Sequence, residues 1–384
     1  IMPMFLALYK MIGQTRDIVM GKGEYTLTYI QIAVWYEFFP EAALFALDKC
    51  VIPPDHKRQQ HQYGSWKDIK YFCNFLIKEH KYFNIPGMSS DHSLIKYALY
   101  LMVNQLREEE KNYNLSFQAS STGPEHNDAK SKITLAARWA PRATSKQFGW
   151  MFNMMARMYY NNYLETATSE ESRRRADRKA KTDFRKLLAR LNRFLETTQV
   201  KQCDPRGCWS TIDHNTVTSI TARKQKKAFQ YVKQTGESRS TEKPNSDREE
   251  CAKRYTAHIA AALAGDKSHK VRGKRVGLGE LVKDAINHET LVDSSIENTS
   301  EKEKKREEER NVINLQWADN ATQNENLGNM IACVDTSGSM SCDNGVPLHN
   351  AIGLGIRIAE KSALGKRIAT FSATPSWVNL ESAR

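Results

Sequence analysis

Met330-Ile331-Ala332-Cys333-Val334-Asp335-Thr336-Ser337-Gly338-Ser339 is the stretch that decides how the C-terminal part of the chain folds. Five apolar residues lead into one acid and two hydroxyls on a glycine-containing turn. The apolar run reads as a buried strand, and the turn as the loop at its carboxyl end, where open α/β sheets place their ligands. Asp335 offers a carboxylate, and Ser337 and Ser339 offer neutral oxygens. That donor set suits a hard divalent cation such as Mg²⁺, which takes oxygen ligands in near-octahedral geometry and keeps some of its waters. The competing reading is an ordinary strand-to-helix turn in which Asp and Ser cap the next helix. Downstream, Pro347 to Ser362 predicts a helix and Arg367 to Ser372 a second strand. Strand, helix, strand in that order implies a parallel pair with a right-handed crossover.

Upstream, helical spacing dominates. Ile30, Val34 and Phe38 recur at helical intervals, Pro40 interrupts, and Glu41 to Cys50 resumes. Ser65 predicts an N-cap for a helix from Trp66, with Asp68 in its first turn and Ile69, Phe72, Cys73, Leu76 and Ile77 facing inward. Asp91 or Ser93 opens another, whose inner face holds Leu94, Tyr97, Ala98, Leu101, Met102 and Leu106. Asn114 to Lys132 reads as a loop, Pro141 as a break, and Lys146 to Asn162 as a helix. Ser169 to Thr197 predicts one long helix with the stripe Phe184, Leu187, Leu188, Leu191 and Leu195. Gly236 to Asp247 reads as an exposed loop, and Cys251 to Leu263 and Leu278 to Asn287 as helices. Glu301 to Arg310 mixes charges without an apolar face, as a solvated helix or an interdomain linker does. No fixed period emerges along this helical series.

The 384 residues carry a net charge of +13, a balance that favours polyanionic partners, most often nucleic acid. The excess is concentrated. Between Glu171 and Arg193 the long helix holds Arg173, Arg174, Arg175, Arg178, Lys179, Lys181, Arg185, Lys186, Arg190 and Arg193 against Glu171, Asp177 and Asp183. A second cluster is Arg223, Lys224, Lys226 and Lys227. A third is Lys267, Lys270, Arg272, Lys274 and Arg275. A solvated face is the usual fate of helical charge, but a salt-bridged helix mixes signs. The functional reading is phosphate contact, salt-sensitive and with little sequence readout.

Other signals leave alternatives open. Gly21-Lys22-Gly23 is a phosphate loop or a tight turn between helices, and it lacks the spacing of the former. Trp35, Tyr36, Phe38 and Phe39 are core residues or base-stacking platforms, and Trp66 beside Lys67 and Lys70 shares that ambiguity. Cys203, Cys208 and His214 could be part of a zinc site, though the spacing is not standard; free thiols are the other reading. Seven scattered cysteines fit a reducing compartment. No run reaches the ~18 apolar residues of a membrane span. Ile1-Met2-Pro3-Met4-Phe5 reads as the interior of a longer protein, so truncation is expected at both ends. No nucleophile and base pair up in the sequence, and Ser337 is not in a Gly-x-Ser-x-Gly elbow. A non-enzymatic protein is expected.

Several phrases carry a resemblance: Thr15-Arg16-Asp17-Ile18 with Gly21-Lys22-Gly23-Glu24, Tyr63-Gly64-Ser65-Trp66-Lys67-Asp68, Ala137-Arg138-Trp139-Ala140-Pro141-Arg142, Phe184-Arg185-Lys186-Leu187-Leu188, and the Asp335 loop. Over nearly its whole length the chain resembles the uncharacterised family called domain of unknown function 2828. That family joins a helical domain to a von Willebrand factor A domain, a layout similar to the TROVE-module proteins typified by the Ro autoantigen, which bind RNA on a ring of helical repeats. The resemblance implies a mainly α chain. Residues 1–326 would form a HEAT-like, TROVE-like array, and residues 327–384 would begin a doubly wound α/β von Willebrand factor A domain. It also implies a metal-ion-dependent adhesion site with Asp335, Ser337 and Ser339 as ligands. The family pattern takes a threonine and a second aspartate from later loops, so a partial Mg²⁺ site is expected here. The functional expectation is an intracellular RNA or ribonucleoprotein factor, cytoplasmic or nuclear. The alternative is a structural or assembly protein, such as a component of a large DNA virus particle, that binds protein partners.

Overall fold

The computed structural model describes residues 2–52, 61–79, 88–118, 128, 131–240, 242–293 and 300–381. These are mainly helical, with one three-stranded sheet near the C-terminus. The chain divides into two compact units, Ile1–Thr197 and Thr198–Arg384.

The first unit runs α1 (Met2–Arg16), α2 (Tyr25–Phe38), α3 (Pro40–Val51), α4 (Lys67–Asn74), α5 (Ser93–Gln118), α6 (Ala136–Trp139), α7 (Gly149–Tyr159), α8 (Asn161–Glu165) and α9 (Glu170–Leu195). Pro40 opens α3, where its missing N–H leaves no broken bond. Gly21-Lys22-Gly23 is the tight-turn reading: it joins α1 to α2, and a Cβ on Gly21 would stand 2.3 Å from the Gln14 carbonyl. Helix α5 continues to Gln118, past the expected loop start at Asn114; residues 119–127, 129 and 130 of that loop lie outside the described residues. The core is built from Ile32, Leu47, Ile69, Phe72, Phe75, Leu76, Leu94, Leu99, Phe152 and Phe184. Each such side chain contributes about 1.5–3 kcal/mol on burial.

Within that core lies an ion pair. The Arg16 guanidinium donates three times to Asp68, at 3.2 and 2.9 Å to Oδ1 and at 2.7 Å to Oδ2. The Tyr29 hydroxyl donates to Oδ1 at 2.6 Å and the Ser65 N–H to Oδ2 at 2.8 Å. Asp68 therefore binds α1, α2 and α4 together. The Ser65 side chain makes no cap, and Trp66 occupies that position.

The second unit runs α10 (Thr198–Cys203), α11 (Ser219–Phe229), α12 (Ser246–Leu263), α13 (Leu278–Asp293), α14 (Ser300–Ala321), β1 (Ala332–Asp335), α15 (Cys342–Lys361), β2 (Arg367–Phe371) and β3 (Ser376–Asn379). Strands β1 and β2 are parallel, with Ala332 opposite Ile368, as the strand-helix-strand order implies. Strand β3, not expected from sequence, returns antiparallel with Val378 opposite Ile368. Ala332, Val334, Ile368 and Ala359 make the small core between sheet and α15. The regular part of α15 starts after Asp343, Asn344 and Gly345, all left-handed, close to the expected start at Pro347.

The boundary expected at 326/327 falls inside this second unit. Buried Arg357 of α15 donates 2.9 Å to the Trp317 carbonyl of α14 and stands 4.3 Å from the centre of the Trp317 ring. Glu360 joins both, accepting from Arg357 at 2.8 Å and from the Trp317 indole at 2.8 Å. The charged run at Glu301 to Arg310 is not a linker. It lies in α14, whose Glu308 accepts from Gln230 at 3.0 Å.

Candidate functional site

Helix α9 starts with a reciprocal cap. Ser169 Oγ accepts from the Ser172 N–H at 3.1 Å, and Ser172 Oγ accepts from the Ser169 N–H at 2.9 Å. Phe184, Leu187, Leu188 and Leu191 face the core, so the opposite face looks outward. Because the helix begins at Glu170, a fourth acid joins the three counted from sequence, and ten bases oppose four acids.

Those acids sort the bases. Arg174 pairs with Glu170 at 2.5 Å, Arg175 with Glu171, and Lys186 with Asp183 at 3.8 Å. Lys181 and Arg157 share Asp177, at 2.6 and 2.7 Å, and Arg190 reaches Glu110 of α5 at 2.5 Å. Lys179 stands 4.3 Å from the Tyr163 ring centre, and Arg173 donates to the Ala167 carbonyl at 3.4 Å. Among the described residues no acid pairs with Arg178, Arg185 or Arg193, and all three are exposed on the outer face. Their spacings of seven and eight residues set a row about 22 Å long at ~1.5 Å per residue.

The other two clusters, both in the second unit, are more engaged. Arg223 is held by Asp284 at 2.7 Å and by Glu280 at 2.6 Å, and these hydrogen bonds, Asp284 foremost, raise its pKa. Lys226 faces Glu309 at 3.8 Å, and Lys227 donates to the Gln234 carbonyl at 2.5 Å. Lys224 is exposed. In the third cluster Lys270 lies 3.2 Å from Asp319, whose other oxygen accepts the Gly273 N–H at 2.7 Å and the Lys274 N–H at 3.1 Å. Burial opposes ionisation of Asp319, but these donors outweigh it and hold the carboxyl below its ordinary range. Gly273 is obligatory, because a Cβ there would stand 2.0 Å from the Gln316 carbonyl oxygen. This strap leaves Arg272, Lys274 and Arg275 with exposed side chains.

The Asp335 loop turns as a 3₁₀ segment at Gly338–Ser341. The Thr336 N–H donates 3.0 Å to the Phe371 carbonyl, anchoring the loop to the end of β2. Asp335 Oδ1 accepts the Ser337 N–H at 2.8 Å, which lowers the carboxyl's pKa. Ser337 Oγ and Ser339 Oγ are 3.0 Å apart. Adjacent ligands around Mg²⁺, at ~2.1 Å from the metal, are separated by about 3 Å, so the two hydroxyls have the spacing of neighbouring ligands. One carboxylate and two hydroxyls are the kind of oxygen donors a hard cation takes. Thr370 is turned to Ser376, 2.8 Å away. Among the described residues no group of three or more His, Cys, Asp or Glu could hold a metal. Cys203 is exposed and Cys208 partly so, while His214 is buried against Phe229 and Tyr255.

The aromatics divide. Trp35 and Trp66 are buried, whereas Phe38 is 71% and Phe39 41% exposed. Sequence reading did not single out a group formed by Lys67, Lys70 and Arg138 around Trp139, with Arg142 nearby. The available signal was the phrase Ala137-Arg138-Trp139-Ala140-Pro141-Arg142, in which cations bracket a tryptophan.

No protein-family model matches the chain, and no curated protein or solved structure matches it. Among the described residues no helix is long and apolar enough to cross a membrane.

Proposed function

We propose that the chain is a non-enzymatic nucleic-acid-binding protein, of the RNA or ribonucleoprotein kind, that meets phosphate with the outer face of α9. The observation that carries this reading is the row Arg178, Arg185 and Arg193, exposed along one face with no acid partner among the described residues. Acids neutralise their neighbours, so the unpaired arginines retain their full charge for a polyanion. Lys224, Arg272 and Lys274 are secondary contacts in this reading. The resemblance to helical-array RNA-binding proteins points the same way, as an analogy of layout. The test is fluorescence anisotropy of labelled single-stranded RNA against a salt series. Substituting Arg178→Gln, Arg185→Gln and Arg193→Gln together is expected to weaken binding tenfold or more at low salt. It should also flatten the log–log salt slope by about 2, at ~0.7 per lost contact. A wild-type chain that leaves RNA unbound at low salt defeats the reading.

A second reading is favoured by the Ser337–Ser339 spacing. In it, residues from β1 onward begin a von Willebrand factor A-type domain. Asp335, Ser337 and Ser339 would hold Mg²⁺, which supplies a Lewis-acidic position for a carboxylate of a protein partner, as an assembly or virion protein would require. The strand order β1-β2-β3, with a parallel first pair and a helical crossover, is consistent with that architecture. Such association should be lost with chelator and with Asp335→Ala, measured by pull-down. Association that survives both counts against it.

A further inference from the structure

Three cations gather on three aromatic rings in the first unit, and a fourth stands near them. Lys70 Nζ stands 5.0 Å from the centre of the Trp139 ring, 5.4 Å from Phe148 and 5.5 Å from Tyr71. Lys67 Nζ shares two of these rings, at 5.0 Å from Tyr71 and 5.8 Å from Trp139. The Arg138 guanidinium lies 5.5 Å from Trp139. Arg142 follows two residues beyond Ala140, exposed, and close enough for its charge to act on Lys70.

Two features of this cluster are costly for a purely structural role. Among the described residues no acid pairs with Lys67, Lys70 or Arg142. Burial first, and then the charges of Arg138, Lys67 and Arg142, push the Lys70 pKa down, so the four cations repel one another. Lys67 and Lys70 also open α4, where the helix dipole adds positive potential and a carboxylate is the favoured occupant. The first-turn acid, Asp68, is turned away into the core ion pair with Arg16. The rings soften the repulsion through their negative faces but supply no countercharge.

We propose that Lys67, Lys70 and Arg138, gathered on Tyr71, Trp139 and Phe148, form with the nearby Arg142 a phosphate-binding site whose ligand is the backbone of a nucleic acid. It rests on the nucleic-acid reading above and adds a second contact region that the α9 row does not include. The anion would supply the countercharge that Lys67, Lys70 and Arg142 lack among the described residues.

Amine-selective modification of Lys67 and Lys70, read by mass spectrometry, tests the site with two probes: a short oligouridylate and inorganic tripolyphosphate. Both are expected to shield the two lysines. Lys70→Gln with Arg142→Gln should weaken oligouridylate binding about tenfold and flatten its salt slope by about 1.4, at ~0.7 per contact. The melting temperature should not fall, since the change relieves repulsion at partly exposed positions. If oligouridylate binds but shields neither lysine, and the double variant binds as well as wild type, the site is overturned and the α9 reading stands. If only tripolyphosphate shields them, the phosphate site stands for small anions and its nucleic-acid assignment fails. If neither probe shields them, the cluster is a packing feature and the proposal fails.

Discussion

Asp68, on α4, uses both carboxylate oxygens to hold residues from two other helices and a loop. Buried ion pairs are weak net stabilisers when intact, but removing one partner strands the other charge. Asp68→Ala would leave Arg16, itself buried, without its counterion. The expected loss is about 3–5 kcal/mol, or a fall of about 10 °C in melting temperature for a unit of this size. Arg16→Met combined with Asp68→Leu should lose far less than the single change, and urea unfolding of the three variants measures the difference. A single variant within about 1 kcal/mol of wild type would show that the pair carries little. This network was half legible. Asp68 was placed in the first turn of a helix, and Thr15-Arg16 and Tyr63 to Asp68 were both marked as phrases. Local sequence rules made Asp68 a helix-end acid, because nothing in a single sequence reveals a partner 52 residues away. Gly64 belongs to the same network: a Cβ there would stand 2.3 Å from Asp68 Oδ2.

At the scale of elements, periodicity located most helices, and caps and boundaries were less visible. Ser169 was read correctly as the start of α9, and its apolar stripe is the buried face. By contrast α12 begins at Ser246, capped by Asn245, five residues before the expected start at Cys251. The loop reading there followed Ser, Pro, Asn and Asp, the residue types that also cap helices. Strand β3 was missed because it is four residues long and exposed along most of its length, so it shows no apolar alternation. The charged start of α14 misled for a different reason. Its acids face Lys226 of α11 and Gln230 at that helix's C-cap, and a charge that is locally unpaired in sequence can be satisfied from another element. The glycines of α15 make the same point for packing. A Cβ on Gly355 would stand 2.4 Å from Val334 of β1, and one on Gly353 would stand 2.9 Å from Leu278 of α13. The helix is thin on two sides so that a sheet and a helix can both approach it. The three oxygens of the Asp335 loop were legible as a group because one turn carries them all.

At the scale of the whole molecule, the two units contain buried titratable groups with opposite pH responses. In the first unit Glu109, fully buried on α5, accepts from the Thr134 N–H at 3.0 Å and from its hydroxyl. Burial raises its pKa to about 7, outweighing those hydrogen bonds. The folded state then holds a proton that the unfolded state, with an ordinary value near ~4.3, has released. The stability this gives is complete below about pH 4.3 and is lost as pH rises through 7, by up to about 3 kcal/mol. In the second unit His214, packed 5.3 Å from the Phe229 ring and 5.8 Å from the His258 ring, responds the other way. Burial, then the charge of His258, lowers its pKa to about 4. Its stability contribution is present above the ordinary value of ~6.5 and is lost as pH falls toward 4, by about 2–3 kcal/mol. Glu109→Gln keeps an acceptor for Thr134 and removes the titration, so its advantage over wild type should be larger at pH 8 than at pH 5. His214→Phe keeps a ring against Phe229 and Tyr255, so its advantage over wild type should be larger at pH 5 than at pH 8. Calorimetric melts of both variants at the two pH values measure this crossing. Parallel pH responses in the two variants would mean that at least one of these groups titrates without cost to its unit.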